Sequence, residues 1–226
     1  MRHVFVETNW VFGFAAPAHH KNPGAVDLLE RARRGEFRLH LPSVCLTEVR
    51  NPLRSKCQPR NEANAIRDFL KLRHNSSRLT AEDLDAINRV LNRFESSVDS
   101  ELALLPQILA MLRTEPNIDV FALSDPMLSM AVDLALIDLP LQPFDQCVLA
   151  AVLVRTRELW DAGERGLCFC ELDKDLQPWD KNRDRKSPLA EVYDQARVWV
   201  YGNFELTLPM RPPNWPFQPA PGEPSI

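Results

Sequence analysis

Short apolar runs alternate with longer amphipathic segments along most of the chain, and this alternation predicts an α/β fold. Strand-like runs occupy 3–6, 37–41, 118–123 and 166–170. Helical spacing of apolar residues is found at 23–34, 43–51, 124–138 and 144–160. Strands that alternate with helices favour a parallel sheet covered on both faces. We therefore expect a three-layer α/β/α sandwich with a central parallel sheet of about four or five strands.

Glycine, proline and capping residues mark where several of these helices begin and end. Gly35 stands at a C′ position and Gly163 closes the helix at 144–160, which has almost no polar face and should be deeply buried. Ser43 can cap the N-terminus of the helix that follows it, and Pro52 should limit the same helix.

Residues 56–113 are helical in composition and contain no clear strand, so we predict a helical insertion in the α/β domain. Thr80 and Asp83 have the spacing of a capping box at the start of one of its helices. Pro106 predicts a kink or a restart within the last one.

The C-terminal end has a different composition. Residues 209–226 contain seven of the nineteen prolines. Such a segment cannot form a regular helix, so we expect a domain at 1–208 followed by an extended tail. Trp215 and Phe217 would anchor this tail on the domain surface or on a second chain.

Composition narrows the class of protein further. The chain has 226 residues, of which 45% are apolar and 26% charged, as in ordinary globular proteins. No apolar run is long enough for a transmembrane helix, and the N-terminus lacks the features of a signal peptide. Five cysteines without a CxxC pair indicate free thiols in a reducing compartment rather than a zinc site. We therefore expect a cytoplasmic protein with no membrane partner.

The net charge of −4 gives no general indication of nucleic-acid binding, but the charges are unevenly distributed. Residues 31–60 hold eight Lys and Arg against two acids, whereas 80–145 hold twelve acids against three arginines. This asymmetry favours a two-faced molecule, although solvated helix faces would give the same pattern.

Carboxylates recur at the points where the predicted strands end. Glu7 follows the first strand, Asp173 and Asp175 follow the fourth, and Asp145 opens the most apolar helix. Glu48 lies on the helix after the second strand, next to its apolar stripe. Because ligands bind at the carboxyl ends of parallel strands, these side chains should meet at one edge of the sheet.

Carboxylates gathered in one cleft repel one another unless a cation neutralises them. Oxygen ligands of this kind suit Mg²⁺ or Mn²⁺, so the pattern indicates a metal site for phosphodiester chemistry. Each acid also has a structural alternative: a helix start for Asp145, a surface position for Glu48, and turn positions for Glu7, Asp173 and Asp175.

Four segments, in this order, resemble the motifs of the PIN-domain family. They are VFVETN at the first strand, LTEVR around Glu48, PFDQCVLAAVLV around Asp145, and CFCELDKDL around Asp173. The resemblance covers roughly residues 1–55 and 117–178. The chain departs from the family at Glu7, where Asp is usual, and at Glu171, where Thr or Ser is common. It is also longer than the compact VapC-type toxins.

The resemblance implies a metal-dependent endoribonuclease. Glu7, Glu48, Asp145 and Asp173 would be the catalytic carboxylates and would hold Mg²⁺ or Mn²⁺, assisted by Asp175. Two further sets of residues would support the site: Thr8 and Asn9 in positioning, and Arg50, Arg54 and Lys56 in holding the RNA backbone. The resemblance also permits an antitoxin that neutralises the protein, and a homo-oligomer.

Three alternatives remain open from the sequence. The first is a catalytically weak PIN-like scaffold that binds RNA or a protein partner, which Glu7 and Glu171 would favour. The second is a nuclease acting on DNA, and the third is an interaction module whose tail docks on a neighbour.

Overall fold

The computed structural model describes residues 2–74, 79–137, 139–182 and 184–206. Its strands are β1 (His3–Val6), β2 (Arg38–Pro42), β3 (Ile118–Phe121), β4 (Leu167–Cys170) and β5 (Trp199–Tyr201). They form one all-parallel sheet in the order β3-β2-β1-β4-β5. The prediction that the first and fourth strand runs share a sheet is confirmed. The predicted tail at 209–226 lies outside the described residues.

The helices connect these strands in a regular order. They are α1 (Thr8–Ala15), α2 (Pro23–Arg33), α3 (Val44–Glu48), α4 (Arg50–Lys56), α5 (Arg60–His74), α6 (Ala81–Ala103), α7 (Leu105–Leu112), α8 (Asp125–Leu136), α9 (Pro143–Asp161) and α10 (Leu189–Ala196). Right-handed crossovers place α1 to α7 on one face of the sheet and α8 to α10 on the other. The contacts of α1 with α2 and α3, and of α9 with α8 and α10, agree with this arrangement.

The centre of the sheet is the most buried part of the molecule. Every residue of β1 and β4 is buried, and so is the run from Val148 to Val154 in α9. Strands covered on both faces lose water from both sets of side chains, which is the main source of stability in this kind of fold. The prediction that α9 is deeply buried is confirmed.

Between β2 and β3 the described chain is helical, as predicted, but two of the predicted helix boundaries are wrong. Pro52 does not end a helix; it lies in the first turn of α4, where its missing N–H costs no hydrogen bond. Ser43 does not cap α3 with its side chain, because its own backbone is already helical; its N–H donates instead to the Phe121 carbonyl at 2.8 Å. Thr80 and Asp83 do form the predicted capping box, and Pro106 restarts the chain as α7.

The sheet gains an edge strand that the sequence pattern did not indicate. The helix α10 and the short strand β5 return the chain alongside β4, with Phe169 opposite Val200. The two described segments on either side of residue 183 therefore belong to the same fold as the motifs. All five cysteines are free, as predicted, and no helix in the described ranges is long and apolar enough to cross a membrane.

A polar network crosses the sheet inside the core. His3 on β1 and His40 on β2 share a hydrogen bond of 2.8 Å between their rings, and His40 Nδ1 lies 2.9 Å from Asp119 on β3. Arg155 of α9 donates to the same Asp119 oxygen at 2.9 Å. Burial lowers the pKa of His40 below its usual value, although Asp119 opposes this shift, so the fold favours the neutral form of His40.

This network makes acid sensitivity an expected property of the fold. Because the pKa of His40 is lower in the folded state, the unfolded chain takes up a proton first, and the contribution of His40 to stability falls as the pH drops through about 6.5. The slope contributed by His40 is at most about 1.4 kcal/mol per pH unit. In urea unfolding, His40→Leu should be less stable than the wild type at neutral pH, and the difference between the two should shrink as the pH falls from about 7 to 5.5. Equal slopes in the two proteins would remove His40 from this role.

Candidate metal centre

The carboxyl ends of β1, β2 and β4 meet at one edge of the sheet, and the predicted site residues follow these ends. The chain proceeds from β1 towards β3 on one side and later crosses to β4 and β5 on the other, so the topology reverses between β1 and β4. Such a switch point leaves a crevice outside the strand ends in which ligands bind. Val6 is paired with Cys170 in register, so Glu7 and Glu171 leave the sheet side by side.

Glu7 links β1 to α1 and is buried at this edge of the sheet. Its side chain accepts a hydrogen bond of 2.8 Å from the Asn9 backbone N–H, which caps α1. Its other oxygen, Oε1, is buried and has no hydrogen-bond partner among the described residues. Burial, followed by the negative charges of Glu48 and Asp173, raises the pKa of Glu7 to about 8.

Glu48 reaches the same crevice from the end of α3. Its Oε2 accepts a hydrogen bond from the Thr8 hydroxyl, which joins α3 to the start of α1. Thr8 is buried and Glu48 is half-buried, so the pair fixes one carboxylate at the rim of the crevice. The predicted positioning role of Thr8 therefore has a geometric basis, and Asn9 acts through its backbone amide on Glu7.

Asp145 enters from the opposite face of the sheet, in the first turn of α9. The pKa of Asp145 is raised to about 6. Burial is the largest cause, and the negative charges of Asp173, Glu48 and Asp175 act in the same direction. Asp173 is half-buried, and its Oδ1 accepts a 2.9 Å hydrogen bond from the Asp175 N–H in the loop after β4. Asp175 is exposed at the outer side of the loop.

The structure thus links the predicted carboxylates electrostatically: Glu7 senses the charges of Glu48 and Asp173, and Asp145 senses those of Asp173, Glu48 and Asp175. We define the acidic cluster as Glu7, Glu48, Asp145, Asp173 and Asp175. Their mutual repulsion and the unpartnered Glu7 oxygen fit a divalent cation, since such an ion would neutralise the charge and satisfy the buried oxygen. With the side chains as placed in the described ranges, no three His, Cys, Asp or Glu groups close around a single point.

In the sequence Glu171 stands out only as a departure from a motif, but in the structure it lies next to the acidic cluster. Its side chain is fully buried beside Glu7, and neither oxygen has a hydrogen-bond partner of normal geometry among the described residues. Burial and the charges of Glu7 and Asp173 raise its pKa well above the usual range, although the Asp173 amide and Gln177 lie near enough to oppose this. A glutamate directly after a buried strand, in register with Glu7, was the signal that could have identified it.

The predicted RNA-binding residues are all exposed along α4. Arg50 lines a groove between α3 and α7, whereas Lys56 lies over the ring of Phe12, with its ammonium 5.8 Å from the ring centre. Arg54 is exposed on α4. The role of these three residues in holding the RNA backbone stays a prediction.

The excess of positive charge at 31–60 is partly neutralised in the folded chain. Arg31 and Arg34 pair with Glu36, and Arg33 pairs with Glu115 at 2.6 Å. Trp10, which the sequence left between base stacking and the core, is fully buried and donates to the Ala25 carbonyl at 3.1 Å. It therefore packs in the core rather than meeting a ligand.

Comparison of the chain with protein-family models, with curated proteins and with solved structures gave no match. The acidic cluster and the topology that assembles it are therefore the observations on which a function must be argued.

Proposed function

We propose that the protein is a Mg²⁺- or Mn²⁺-dependent endoribonuclease of the PIN type, with the acidic cluster as its active site. The observation that carries this proposal is the convergence of five carboxylates, far apart in sequence, at the switch point of a parallel sheet. A structural role would not require them together, because unneutralised carboxylates in a crevice destabilise the fold. Charge neutralisation by a divalent ion gives a physical reason for the arrangement.

Each residue has a distinct role in this proposal. Glu7, Glu48, Asp145 and Asp173 would hold the ion, and Asp175 would assist from the exposed side. When bound, the ion supplies Lewis-acid stabilisation of charge on an attacked phosphodiester and activates a water molecule. Thr8 orients Glu48 through its hydroxyl, and the Asn9 amide fixes one oxygen of Glu7 while leaving the other unpartnered for a ligand.

The direct test of the metal site is calorimetric titration with Mn²⁺. Asp145→Asn preserves the shape of the side chain but removes one negative charge, so Mn²⁺ affinity should fall by at least about tenfold. Folding of the metal-free variant should be as stable as the wild type or more stable, because one source of repulsion is gone. Asp133→Asn, on the exposed surface of α8, is the matched control. Unchanged affinity in Asp145→Asn would show that Asp145 is only a helix-start residue.

The direct test of the activity is cleavage of single-stranded RNA and DNA with Mn²⁺, with and without EDTA. We expect cleavage of RNA that EDTA abolishes. Cleavage of DNA alone would favour the alternative of a DNA nuclease. An antitoxin and a homo-oligomer would be extensions of this proposal, and both are tested by the mass of the complex that copurifies with the chain.

A second candidate function is a catalytically weak scaffold that binds RNA or a protein partner. The observation that favours it is the depth at which Glu7 and Glu171 lie, since a carboxyl group with a pKa of about 8 is largely protonated at neutral pH and is then a poor ligand. RNA binding that survives in EDTA, without cleavage in Mn²⁺, would support this alternative.

A further inference from the structure

A surface groove lies beside the acidic cluster, at the carboxyl ends of β2 and β3. It has a volume of about 520 Å³ and is bounded by α3 and the start of α4 on one side and by α7 on the other. This volume falls within the range of about 300–1,000 Å³ that is typical of sites for small ligands or single chemical groups.

Two arginines line this groove, and neither is neutralised by the protein. Arg50, at the start of α4, and Arg113, directly after α7, are both exposed and make no ion pair within the described ranges. They differ in this respect from Arg31 and Arg33, which are held by nearby glutamates. Two unpaired guanidinium groups in one concave surface form a site for anions, and they suit phosphate because each offers several donors in a plane.

The rest of the lining is suited to a nucleotide rather than to a bare anion. Ser43 and Thr47 contribute hydroxyl groups, and the floor is apolar, with the buried Leu109 and the half-buried Val120 among its residues. Phosphate groups of a nucleic acid bind to arginine and hydroxyl donors, while unstacked bases pack against apolar surface. A peptide rich in carboxylates would use the arginines but would gain little from the apolar floor.

The end of α3 separates the groove from the acidic cluster, because its residues contribute to both. Thr47 on α3 and Arg50 at the start of α4 both line the groove, whereas Glu48 between them bonds to Thr8 in the cluster. We propose that the groove binds a single-stranded phosphodiester chain and directs it towards the acidic cluster. This inference rests on the proposed nuclease function and names the part of the substrate that lies beside the cleaved bond.

The test measures binding in EDTA, so that no cleavage takes place. Fluorescence anisotropy would follow short fluorescein-labelled single-stranded RNA, and the same sequence as DNA, over a range of salt concentrations. Arg50→Gln and Arg113→Gln should each weaken binding by about three- to tenfold at low salt. Each should also reduce the slope of log affinity against log salt by about 0.7, the value for one phosphate contact on a single strand.

Two further variants separate the groove from general electrostatics. Arg89→Gln removes the same charge from the exposed face of α6, about 21 Å along the helix from its C-terminal end, and should leave affinity unchanged. Ala110→Trp fills the groove without changing charge, so it should weaken binding with an unchanged salt slope. Circular dichroism of each variant checks that the fold is intact.

The outcomes for the groove and for the nuclease can be distinguished. Weaker binding in the groove variants supports the groove even if no cleavage occurs in Mn²⁺, in which case the nuclease proposal fails by itself. A different result would overturn the groove alone. In that case RNA is still cleaved, but Arg113→Gln and Ala110→Trp bind RNA and DNA as tightly as Arg89→Gln does. Binding of a polyglutamate peptide in place of both oligonucleotides would also overturn it.

Discussion

Replacement of Glu7 by glutamine should reduce metal-dependent RNA cleavage by at least about 100-fold, whereas replacement by aspartate should retain part of it or improve it. Glutamine keeps the acceptor for the Asn9 amide but removes the charge that would hold the ion. Aspartate keeps the charge and shortens the side chain by one methylene, which displaces the carboxylate by roughly an ångström. The two variants therefore separate the loss of charge from a change of position.

The measurement is the initial rate of RNA cleavage in Mn²⁺ for the wild type, Glu7→Gln and Glu7→Asp. Glu62→Gln, on the exposed first turn of α5, is the control for removal of a glutamate charge elsewhere. If Glu7→Gln cleaves at the wild-type rate, Glu7 is outside the active site and the resemblance to PIN domains extends to the fold at most.

The metal-free protein should lose stability as the pH rises from about 6.5 to about 8. The folded state raises the pKa of Glu7 to about 8 from an ordinary value near 4.5, so the folded protein holds a proton that the unfolded chain has released. For a raised pKa of this kind, stability is fully present below the unfolded value and is lost as the pH approaches the folded value. Glu7 alone should account for about 2 kcal/mol over this range. Glu171, whose pKa is also raised, adds to the loss.

Urea unfolding in EDTA at several pH values measures this effect. Glu7→Gln and Glu171→Gln should each flatten the dependence, because glutamine mimics the protonated acid at every pH, while Glu62→Gln should reproduce the wild-type slope. Added Mn²⁺ should restore stability at the alkaline end, because a bound cation favours the ionised carboxylates. The raised pKa of Glu7 would be contradicted if the metal-free protein were equally stable at both ends of the pH range and Glu7→Gln did not differ from the wild type.

The contribution of His40 has the opposite sign, and below about pH 6.5 it overlaps the range in which the Glu7 contribution changes. Below about pH 6.5 the two contributions oppose each other, so the stability of the metal-free protein should change less steeply there than between about pH 6.5 and 8. Metal binding and stability are linked through the same protons, so Mn²⁺ affinity should rise with pH.

Most of the sheet could be predicted because its signals are local. The runs that became β1 to β4 are apolar and bounded by turn residues, and Gly35 and Gly163 have positive φ angles where the pattern placed helix ends. The helix α1 escaped prediction because its sequence is apolar on every side and gives no amphipathic period. The strand β5 escaped because three residues carry too little pattern.

The sequence predicted which residues form the candidate site but not the contacts between them. The position of each carboxylate relative to a strand end follows from the chain, so their convergence could be inferred from parallel topology. The hydrogen bond from Thr8 to Glu48 joins residues forty positions apart, and no local pattern contains it. The same holds for the groove, because Arg50 and Arg113 meet only after α5 and α6 have folded back between them.

The sequence by itself determined the alternation of elements, the helical character of the segment between β2 and β3, and the identity of the acids at the strand ends. These properties depend on residue type and on spacing within one element. Only the tertiary structure decided which acid is buried, which arginine is left unpaired, and that Glu171 lies beside Glu7 through the register of β1 and β4. Burial and charge pairing are set by neighbours distant in sequence, so they exist only once the sheet has formed.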